Sequence, residues 1–571
     1  MPAMKTPGVY IVEKSAFPNS VVEVATAVPA FIGYTQKAEN GDKSLLNKPW
    51  RITSMKEYEK YYGGAPSPKF TISDVAKIED ADFKVRLGGD TRGKGKGLAQ
   101  DNSRFILYYS MRLFFQNGGG ACYIVSVGDY DGDASGDGKG EIKADELRKG
   151  IATLIKEPEP TMVIIPEVTS LADLKTCTSV QQAALLHCGN KMRNRVAILD
   201  VFDGYKDRQD PDGDCIAAFR DSLGINYLDF ATAYYPWVQT TIIPDSEITF
   251  NYLNKAGKAA LVELLKTELK VAVTDDVPME TPEAGDDGSP AGEPKPSKEG
   301  QMILDQRANL AKELDNVIEF ADAVAAKIAL RDGGDEQLKG KTDADIESLV
   351  LSERALLNKT LMAVSPLYVQ VLKAISARLN LLPPAAAMAG IYTAVDTTRG
   401  VWKAPANVSL ASVSAPAVNI THDDQEDLNV TTQGKSINAI RSFIGEGTLV
   451  WGARTLDGNS LDWRYISVRR TMIMMEESIR LGTKAYVFEA NNAQTWITIK
   501  SMIRNFLTGI WKRGGLAGAS PDDAFSVYVG LGETMTPEDI LEGILRVSVL
   551  VAVTRPAEFI EITFTQQMQK S

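Results

Sequence analysis

The sequence predicts a mixed α/β (α+β) multidomain protein whose α/β core is assembled from two halves of the chain. Three features indicate this: apolar runs that alternate with helical segments, an acidic proline-rich stretch that interrupts them, and a strand-like segment near each end. The chain has 571 residues, more than one hydrophobic core accommodates. We therefore expect an inserted outer helical region and an extended β arm at each terminus.

The first half contains short apolar runs that resemble buried strands. They lie at 121–127, 162–165 and 195–200, and a helical pattern covers 170–192. Strands that are apolar on both faces and alternate with helices are typical of a largely parallel sheet covered on both sides.

The clearest boundary is the stretch 274–300. It contains five prolines and no aromatic residue, and between Asp275 and Glu299 eight acids and two lysines give a net charge of −6. Such a composition cannot form a core, so we predict a solvated linker. A recognition tail is the alternative interpretation.

Two helical regions follow the linker. Apolar residues recur at spacings of three and four over 310–328, before Gly333 and Gly334, and a second helical stretch covers 343–382. This insertion is predicted to be a helical hairpin that packs within itself, with a coiled-coil partner site as the alternative. The predicted division of the chain is an N-terminal β arm (1–27), a small peripheral N-terminal segment of the core (28–103), the first half of the α/β core (104–270), the acidic linker (271–300), the outer helical insertion (301–382), the C-terminal core (383–555) and a C-terminal β arm (556–571).

The last 130 residues return to mixed structure. A helix is predicted over 491–511, capped by Asn491 or Asn492, and Thr536 followed by Pro537 marks another helix start. A buried strand is predicted over 546–554.

The segments at the two ends have strand patterns without an obvious sheet. Residues 20–26 are rich in valine, and 560–565 alternate apolar and polar side chains at period two. An unpaired edge is a template for pairing with another chain. These segments therefore suggest self-assembly, although pairing of both strands within the monomer is an open alternative.

Composition excludes several classes of function. The net charge of −12 argues against nucleic acid as a partner, and no apolar run approaches the length of a membrane span. The first residues lack the apolar stretch of a signal peptide. The four cysteines form no CxxC pair, which fits a reducing compartment.

Three stretches resemble enzyme motifs without completing one. Glycines at 88, 89 and 93 before Lys94 approach a phosphate loop, but Gly95 replaces the magnesium-binding hydroxyl. Acids from Asp129 to Glu141 resemble a calcium loop with its glycine and twelfth position misplaced. His187 beside Cys188, and His422 in an acidic loop, have no catalytic or metal-ligand spacing. We expect no enzyme activity, catalytic residue, metal or cofactor, with a nucleotide-binding α/β enzyme as the weak alternative.

Several blocks, taken in order, resemble contractile tail sheath proteins of phages and of phage-tail-like injection systems. The blocks are TPGVYIVE at 6–13, VPAFIGY at 28–34, FFQNGGGACYIV at 114–125, AYYPW at 233–237, AGIYTAVD at 389–396, GVWKAPAN at 400–407, INAIRSF at 437–443 and VWGARTL at 450–456. The resemblance spans residues 6 to 565, and the linker and helical insertion fall outside it.

The resemblance implies a structural subunit that forms stacked hexameric rings around an inner tube, with baseplate and terminal cap proteins as further partners. Assembly in the bacterial cytoplasm, within a phage tail or an injection particle that is released or membrane-anchored, is also implied. Terminal arms would complete a sheet in neighbouring subunits. The arm residues would be Val21, Val22 and Val24 at the N-terminus and Ile560, Ile562 and Phe564 at the C-terminus.

The family also implies a C-terminal-region helix that faces the tube. On or at the end of the predicted helix 491–511 lie Lys500, Arg504, Lys512 and Arg513. This basic row is expected to meet acidic residues of the tube. A solvated face with extended basic side chains is the alternative.

Overall fold

The computed structural model describes residues 21–75, 81–85, 94–101, 103–131, 140–271, 277–280, 294–319, 323–335 and 337–562. The strands are β1 (Pro29–Thr35), β2 (Glu39–Asn40), β3 (Lys43–Ser44), β4 (Trp50–Ile52), β5 (Phe70–Asp74), β6 (Phe83–Val85), β7 (Lys94–Gln100), β8 (Cys122–Asp129), β9 (Met162–Ile164), β10 (Val196–Asp200), β11 (Ala231–Tyr235), β12 (Val238–Thr240), β13 (Met279–Glu280), β14 (Lys295–Pro296), β15 (Leu381–Leu382), β16 (Val408–Ser409), β17 (Val413–Pro416), β18 (Asn438–Phe443), β19 (Gly447–Trp451), β20 (Phe525–Tyr528) and β21 (Ser548–Val551). The helices are α1 (Met55–Tyr62), α2 (Leu107–Gln116), α3 (Ala144–Thr153), α4 (Leu174–Leu186), α5 (Cys215–Ser222), α6 (Lys255–Glu268), α7 (Lys298–Glu319), α8 (Ala323–Asp332), α9 (Asp343–Val364), α10 (Pro366–Leu379), α11 (Ala385–Arg399), α12 (His422–Asn429), α13 (Ile466–Thr483), α14 (Ala493–Lys512), α15 (Pro521–Ala524) and α16 (Pro537–Leu541).

A nine-stranded sheet forms the centre of the fold, in the order β16-β19-β18-β11-β10-β9-β1-β8-β4. The pairs from β8 to β18 are parallel, and β4, β19 and β16 join antiparallel at the edges. Strands β16, β18 and β19 follow the helical insertion, whereas the others precede it. The prediction of a mixed α/β core built from two chain halves is therefore confirmed.

Helices cover both faces of this sheet. In β1, successive side chains point to opposite faces. Phe31 packs edge-on against Phe114 of α2, with ring centroids 5.1 Å apart. The neighbouring Ile32 packs close to Gly150 of α3, where a side chain would not fit. Helix α11 lies beside α2 on the Phe31 face, and its first amide, that of Ala385, donates to Asp200 at 2.9 Å.

The prediction of one continuous helical stretch over 343–382, the second part of the helical hairpin, is wrong. The stretch 343–382 consists of two helices, α9 and α10, which meet at an angle of 115° because Pro366 lacks the amide hydrogen that a continuous helix requires. Residues Leu381 and Leu382 belong to strand β15, which pairs with β12. The predicted single helix over 310–328 falls on α7 and α8, and residues 320–322 between them lie outside the described residues.

In the described part of the chain, no single helix is long and apolar enough to cross a membrane. Only α9 and α10 taken together satisfy that test, and they are sharply bent.

The C-terminal residues form a second hydrophobic cluster beside the main core. We call residues 466–554 the C-terminal module. Its buried side chains include those of Met474, Met475, Ile503, Leu507 and Phe525. Helix α13 joins the two clusters, because Ile466 and Ile473 belong to the main core while the following Met474 and Met475 belong to the second.

Two of the three predictions for this region are confirmed. Helix α14 begins after Asn492, whose side chain accepts from the amide of Thr495, and α16 begins after Thr536 with a capping box. The strand predicted as buried is β21, which is shorter and has alternating half-buried and exposed residues. It pairs only with β20 among the described strands, so its other edge has no partner strand there.

A buried carboxyl group ties the main core together. Glu167 is fully buried, and its two oxygens accept from the amides of Tyr34 (2.7 Å), Ile106 and Leu107 (3.1 Å each). Burial raises its pKa to about 7, and the three amide hydrogen bonds only partly oppose that rise. Folded protein therefore holds a proton here between about pH 4.5 and pH 7, where the unfolded chain has released it.

We predict that stability falls as pH rises from about 5 to 7, and that Glu167→Gln flattens this dependence. The folded state binds more protons than the unfolded state in that window, so each pH unit costs up to about 1.4 kcal/mol for this group. Urea unfolding at pH 5, 6 and 7 measures the slope. A variant with the wild-type slope would show that Glu167 does not titrate there, whatever its overall stability.

Candidate functional site

The N-terminal segment Val21–Thr26 is extended and has no strand partner in the described structure. Val21 is buried against Gly482 at the end of α13 and belongs to the second hydrophobic cluster, whereas Val22 is 76% exposed. The amide of Val24 donates to Ser478 Oγ at 3.1 Å. The segment is thus fastened along α13 by the buried Val21 side chain and the Val24 hydrogen bond, and Glu23 adds an ion pair with Arg513 at 2.5 Å.

A buried ion pair fixes the end of this segment. Arg470 of α13 forms a bidentate pair with Asp396 of α11, at 2.5 and 2.9 Å, and both side chains are almost fully buried. The same guanidinium donates to the carbonyl of Thr26 at 2.9 Å and lies over the ring of Tyr392. One side chain therefore connects the main core, the C-terminal module and the N-terminal segment.

The C-terminal segment is fastened at one point and then projects. Glu558 accepts from Nε and Nη2, along one edge of the Arg454 guanidinium, at 2.6 to 3.2 Å, and from the hydroxyl of Tyr465 at 3.0 Å. Beyond it, Phe559, Ile560 and Ile562 are 70–79% exposed and belong to no strand. Phe564 lies outside the described residues.

The predicted arm residues therefore differ in their surroundings. Val22, Ile560 and Ile562 are exposed, Val24 is half-buried, and Val21 is part of the chain's own core. Neither terminal segment pairs as a strand within the described structure, so the alternative that both pair inside the monomer finds no support there. The role of these residues between subunits stays a prediction.

The C-terminal module also contains a two-stranded sheet, β20 with β21, in register from Phe525↔Val551 to Tyr528↔Ser548. Phe525 and Val527 are buried beneath it, while Tyr528 and Leu550 are exposed. A two-stranded sheet is marginal alone and presents unpaired backbone groups at its outer edges. This sheet is geometrically suited to accept further strands.

The predicted basic row on α14 is largely occupied within the subunit. Lys500 lies 3.8 Å from Glu533, Arg504 pairs with Asp522 at 3.0 Å, and Arg513 pairs with Glu23 at 2.5 Å. Lys512 is exposed and has no ion pair within the described residues. Several other exposed side chains along α14 are neutral, among them those of Ile497, Ser501 and Asn505.

The enzyme-like motifs acquire no catalytic geometry in the described structure. Most of the near-phosphate loop lies outside the described residues, and Lys94 begins strand β7 rather than the helix that would cradle a phosphate. Part of the acidic loop after Asp131 also lies outside them, and the residues that are described contain no cluster of three metal ligands.

The two histidines and Cys188 are likewise poorly suited to catalysis. His187 is buried in a π-helical turn that follows α4, where burial and then Arg195 lower its pKa to about 4. Burial raises the pKa of Cys188 to about 12, so its thiol stays protonated. His422 is the first residue of α12, after the capping residue Thr421.

Comparison with known proteins shows similarity to tail sheath proteins. Residues 459–567 match the family described as phage tail sheath C-terminal domain. The tail sheath protein of Vibrio phage KVP40 is 25% identical over 187 residues, which cover 32% of this chain and 26% of that protein. The matched region spans between 20% and 48% of the length of the curated relatives.

The fold is that of contractile sheaths over nearly the whole chain. The anti-feeding prophage helical sheath in its contracted state is similar with a TM-score of 0.54 and 23% identity, covering 99% of this chain and 100% of that one. The PVC sheath complex of an extracellular contractile injection system, also contracted, gives 0.52 and 24%, covering 99% of each chain. The resemblance to contractile tail sheath proteins is therefore confirmed, and the nucleotide-binding alternative finds no support in these comparisons.

Sequence reasoning missed the residues that fasten the terminal segments. Arg454 and Asp396 each lie within a block of the sheath resemblance, but their partners Glu558 and Arg470 do not. An isolated glutamate between Ala557 and Phe559 has no local pattern that distinguishes it. Only the three-dimensional contact identifies it as an anchor.

We predict that Glu558→Gln releases the C-terminal segment. The glutamine side chain has one acceptor oxygen instead of two and no charge. The buried Arg454 guanidinium therefore loses a hydrogen bond and its counter-ion, which costs about 1–3 kcal/mol of stability. Chymotrypsin cleavage after Phe559 should become faster. Asp462→Asn, which alters the exposed partner of Arg555, is the matched control and should cleave at the wild-type rate. Equal rates in all three proteins would contradict the anchoring role.

Proposed function

We propose that the chain is a contractile sheath subunit, which polymerises as stacked hexameric rings around an inner tube and contracts to drive the tube through a target envelope. The observation that supports this most directly is that, among the described residues, the terminal segments have no strand partner and the β20–β21 sheet has only two strands. Segments that can be donated as strands and a sheet that can accept strands therefore occur in one chain, which has the fold of contractile sheaths. Copies of such a chain can link by strand addition.

In this proposal, each subunit donates both terminal segments to neighbours and receives theirs at the β20–β21 sheet. Main-chain hydrogen bonds connect the copies, and these bonds survive rotation of whole domains if the connecting segments absorb the change. The anchors at Val21 and Glu558 define where each connector begins. A rotating subunit would thus remain linked to its neighbours throughout contraction.

Contraction would draw its energy from surfaces buried between subunits. Burial of apolar surface contributes a free energy of about 25 cal/mol per Å². A few hundred Å² of new apolar contact would therefore stabilise the contracted state by several kcal/mol per subunit. Summed over a sheath, this drives the tube without nucleotide hydrolysis. We accordingly assign no catalytic role and no cofactor to the chain.

The partners in this proposal are further copies, the inner tube protein, a baseplate and a terminal cap. Another similar solved chain belongs to the anti-feeding prophage baseplate, with a TM-score of 0.52 and 23% identity. Assembly would occur in the bacterial cytoplasm, within a phage tail or an injection particle that is released or membrane-anchored. Neither nucleic acid binding nor direct membrane insertion is part of the proposal.

We predict that removing residues 1–20, or separately residues 559–571, abolishes polymerisation while the subunit stays folded. These deletions retain Val21 in its cluster and Glu558 on Arg454, so they remove only the donated segments. Negative-stain microscopy for striated sheaths, with circular dichroism as the control for folding, measures the outcome. If either truncated protein forms sheaths with the same helical symmetry as the full-length protein, the strand-exchange proposal is wrong.

Contact with the tube is proposed to centre on Lys512, the member of the basic row without an ion pair among the described residues. Lys512→Glu should prevent co-sedimentation with the inner tube protein, because it replaces an exposed cation by an anion. Arg504→Glu, at a position already paired with Asp522, should have a smaller effect. If both variants bind the tube as the wild type does, the basic row is a solvated face.

A further inference from the structure

A groove of about 460 Å³ lies between the N-terminal segment and the C-terminal half of α13. Its walls are largely apolar and include Val24, Val401, Ile473, Met474 and Leu481.

Its polar edge carries two cations with different surroundings. Arg480 is paired with Glu477, whereas exposed Lys484 at the end of the groove has no ion pair in the described structure. The carboxylates of Glu159, which pairs with Arg51, and Glu477 also line the groove. The groove therefore combines an apolar interior with charges of both signs at its edge, where Lys484 is the cation without an ion pair in the described structure.

Just beyond the groove, the chain presents an aromatic side chain to solvent. Phe488 is 104% exposed, and its backbone has φ of 72°, a left-handed conformation that is unfavourable for a bulky residue. The neighbouring Val487 is 60% exposed. The wholly exposed ring makes no compensating contact in the single subunit.

The loop that holds Phe488 is well defined by hydrogen bonds. Asn491 donates to the carbonyl of Ile544 at 3.1 Å and accepts from the indole of Trp496 at 2.7 Å. The amide of Glu489 donates to the carbonyl of Tyr486 at 3.1 Å. These hydrogen bonds define the backbone beside Phe488, and the ring itself is directed to solvent.

We propose that Phe488 of one subunit inserts into this groove on a second copy. The groove accommodates an aromatic side chain, and burial there would offset the backbone strain. Glu489, exposed and without an ion pair in the described structure, follows Phe488 and would meet Lys484 at the edge of the receiving groove. The inference rests on the proposed sheath function and adds a side-chain contact to the strand exchange.

The symmetry of this contact follows from its two surfaces. Phe488 and the groove belong to different surfaces of the same chain, so the contact is heterologous. Each copy that donates its ring still has an empty groove, and repetition generates closed rings or helical filaments rather than isolated dimers. This is the geometry that a sheath requires.

The first test separates the two surfaces. Phe488→Asp removes the inserting ring, and Leu481→Trp fills the groove from a position that is already 46% exposed. Each should weaken polymerisation of the full-length chain about thirtyfold, the effect of a contact worth about 2 kcal/mol. An equimolar mixture of the two variants should polymerise more strongly than either variant alone, since an intact ring on one can still meet an intact groove on the other.

The matched control is Ile444→Asp, which alters an equally exposed apolar side chain, 107% exposed, in the turn between β18 and β19. It should polymerise as the wild type does. Phe488→Gly should raise the midpoint of thermal unfolding by about 1 °C, because glycine tolerates positive φ, and the variant should still lose polymerisation. A lower midpoint would mean that Phe488 supports the subunit itself and would overturn the proposal.

A charge exchange tests the pairing across copies. Lys484→Glu and Glu489→Lys should each weaken polymerisation, and the double variant should recover it, because opposite charges again meet between subunits. Ordinary sheaths from Phe488→Asp would overturn the insertion and leave the sheath function standing. If Leu481→Trp prevents polymerisation and Phe488→Asp does not, the groove receives another segment. If the wild-type protein forms no sheaths with its inner tube, the sheath function itself is rejected.

Discussion

The buried pair between Arg470 and Asp396 is the interaction on which the arrangement of the whole subunit depends. Arg470 belongs to α13, Asp396 belongs to α11, and the carbonyl of Thr26 shares the same guanidinium. Tyr392, beneath that guanidinium, exchanges a hydrogen bond with Tyr234 of β11 at 2.8 Å. The central sheet, the C-terminal module and the N-terminal segment are therefore connected through one side chain.

Such a pair contributes more to geometry than to net stability. Removing two charges from water costs about as much as their attraction returns, while leaving one charge alone costs about 3–5 kcal/mol. The two hydrophobic clusters could pack against each other in several orientations, because apolar contact is not directional. The bidentate pair restricts them to one orientation, and with it the direction in which the N-terminal segment leaves the subunit.

The anchors at the two ends follow a common plan. Each terminal segment is held by a specific contact close to the C-terminal module, and the residues beyond that contact have no strand partner in the described structure. In the proposed strand exchange, such a held base would define where a donated strand begins, and exposed side chains such as Val22 and Ile560 would contact a neighbour. The proposed insertion of Phe488 uses the same module, so strand exchange and side-chain contact would act on one rigid unit.

Local sequence patterns determined the class of fold and many of its elements. The apolar runs became β8, β9 and β10 because strands buried on both faces must be apolar along their whole length. Helix α14 and the start of α16 agree with their caps, since Asn492 and Thr536 satisfy backbone amides within a few residues. The bend at Pro366 could have been read from the sequence, because proline interrupts a helical ladder wherever it occurs.

Tertiary structure alone decided which of these local features act together. The sequence marked four basic residues on or at the end of α14, but ion pairs with Glu533, Asp522 and Glu23 occupy three of them, and Glu23 lies 490 residues away in the chain. Likewise, Val21 resembled its neighbour Val22 in the sequence, yet one is buried and the other exposed. A side chain's availability depends on contacts across hundreds of residues, and a periodic pattern records only which face a residue occupies on its own element.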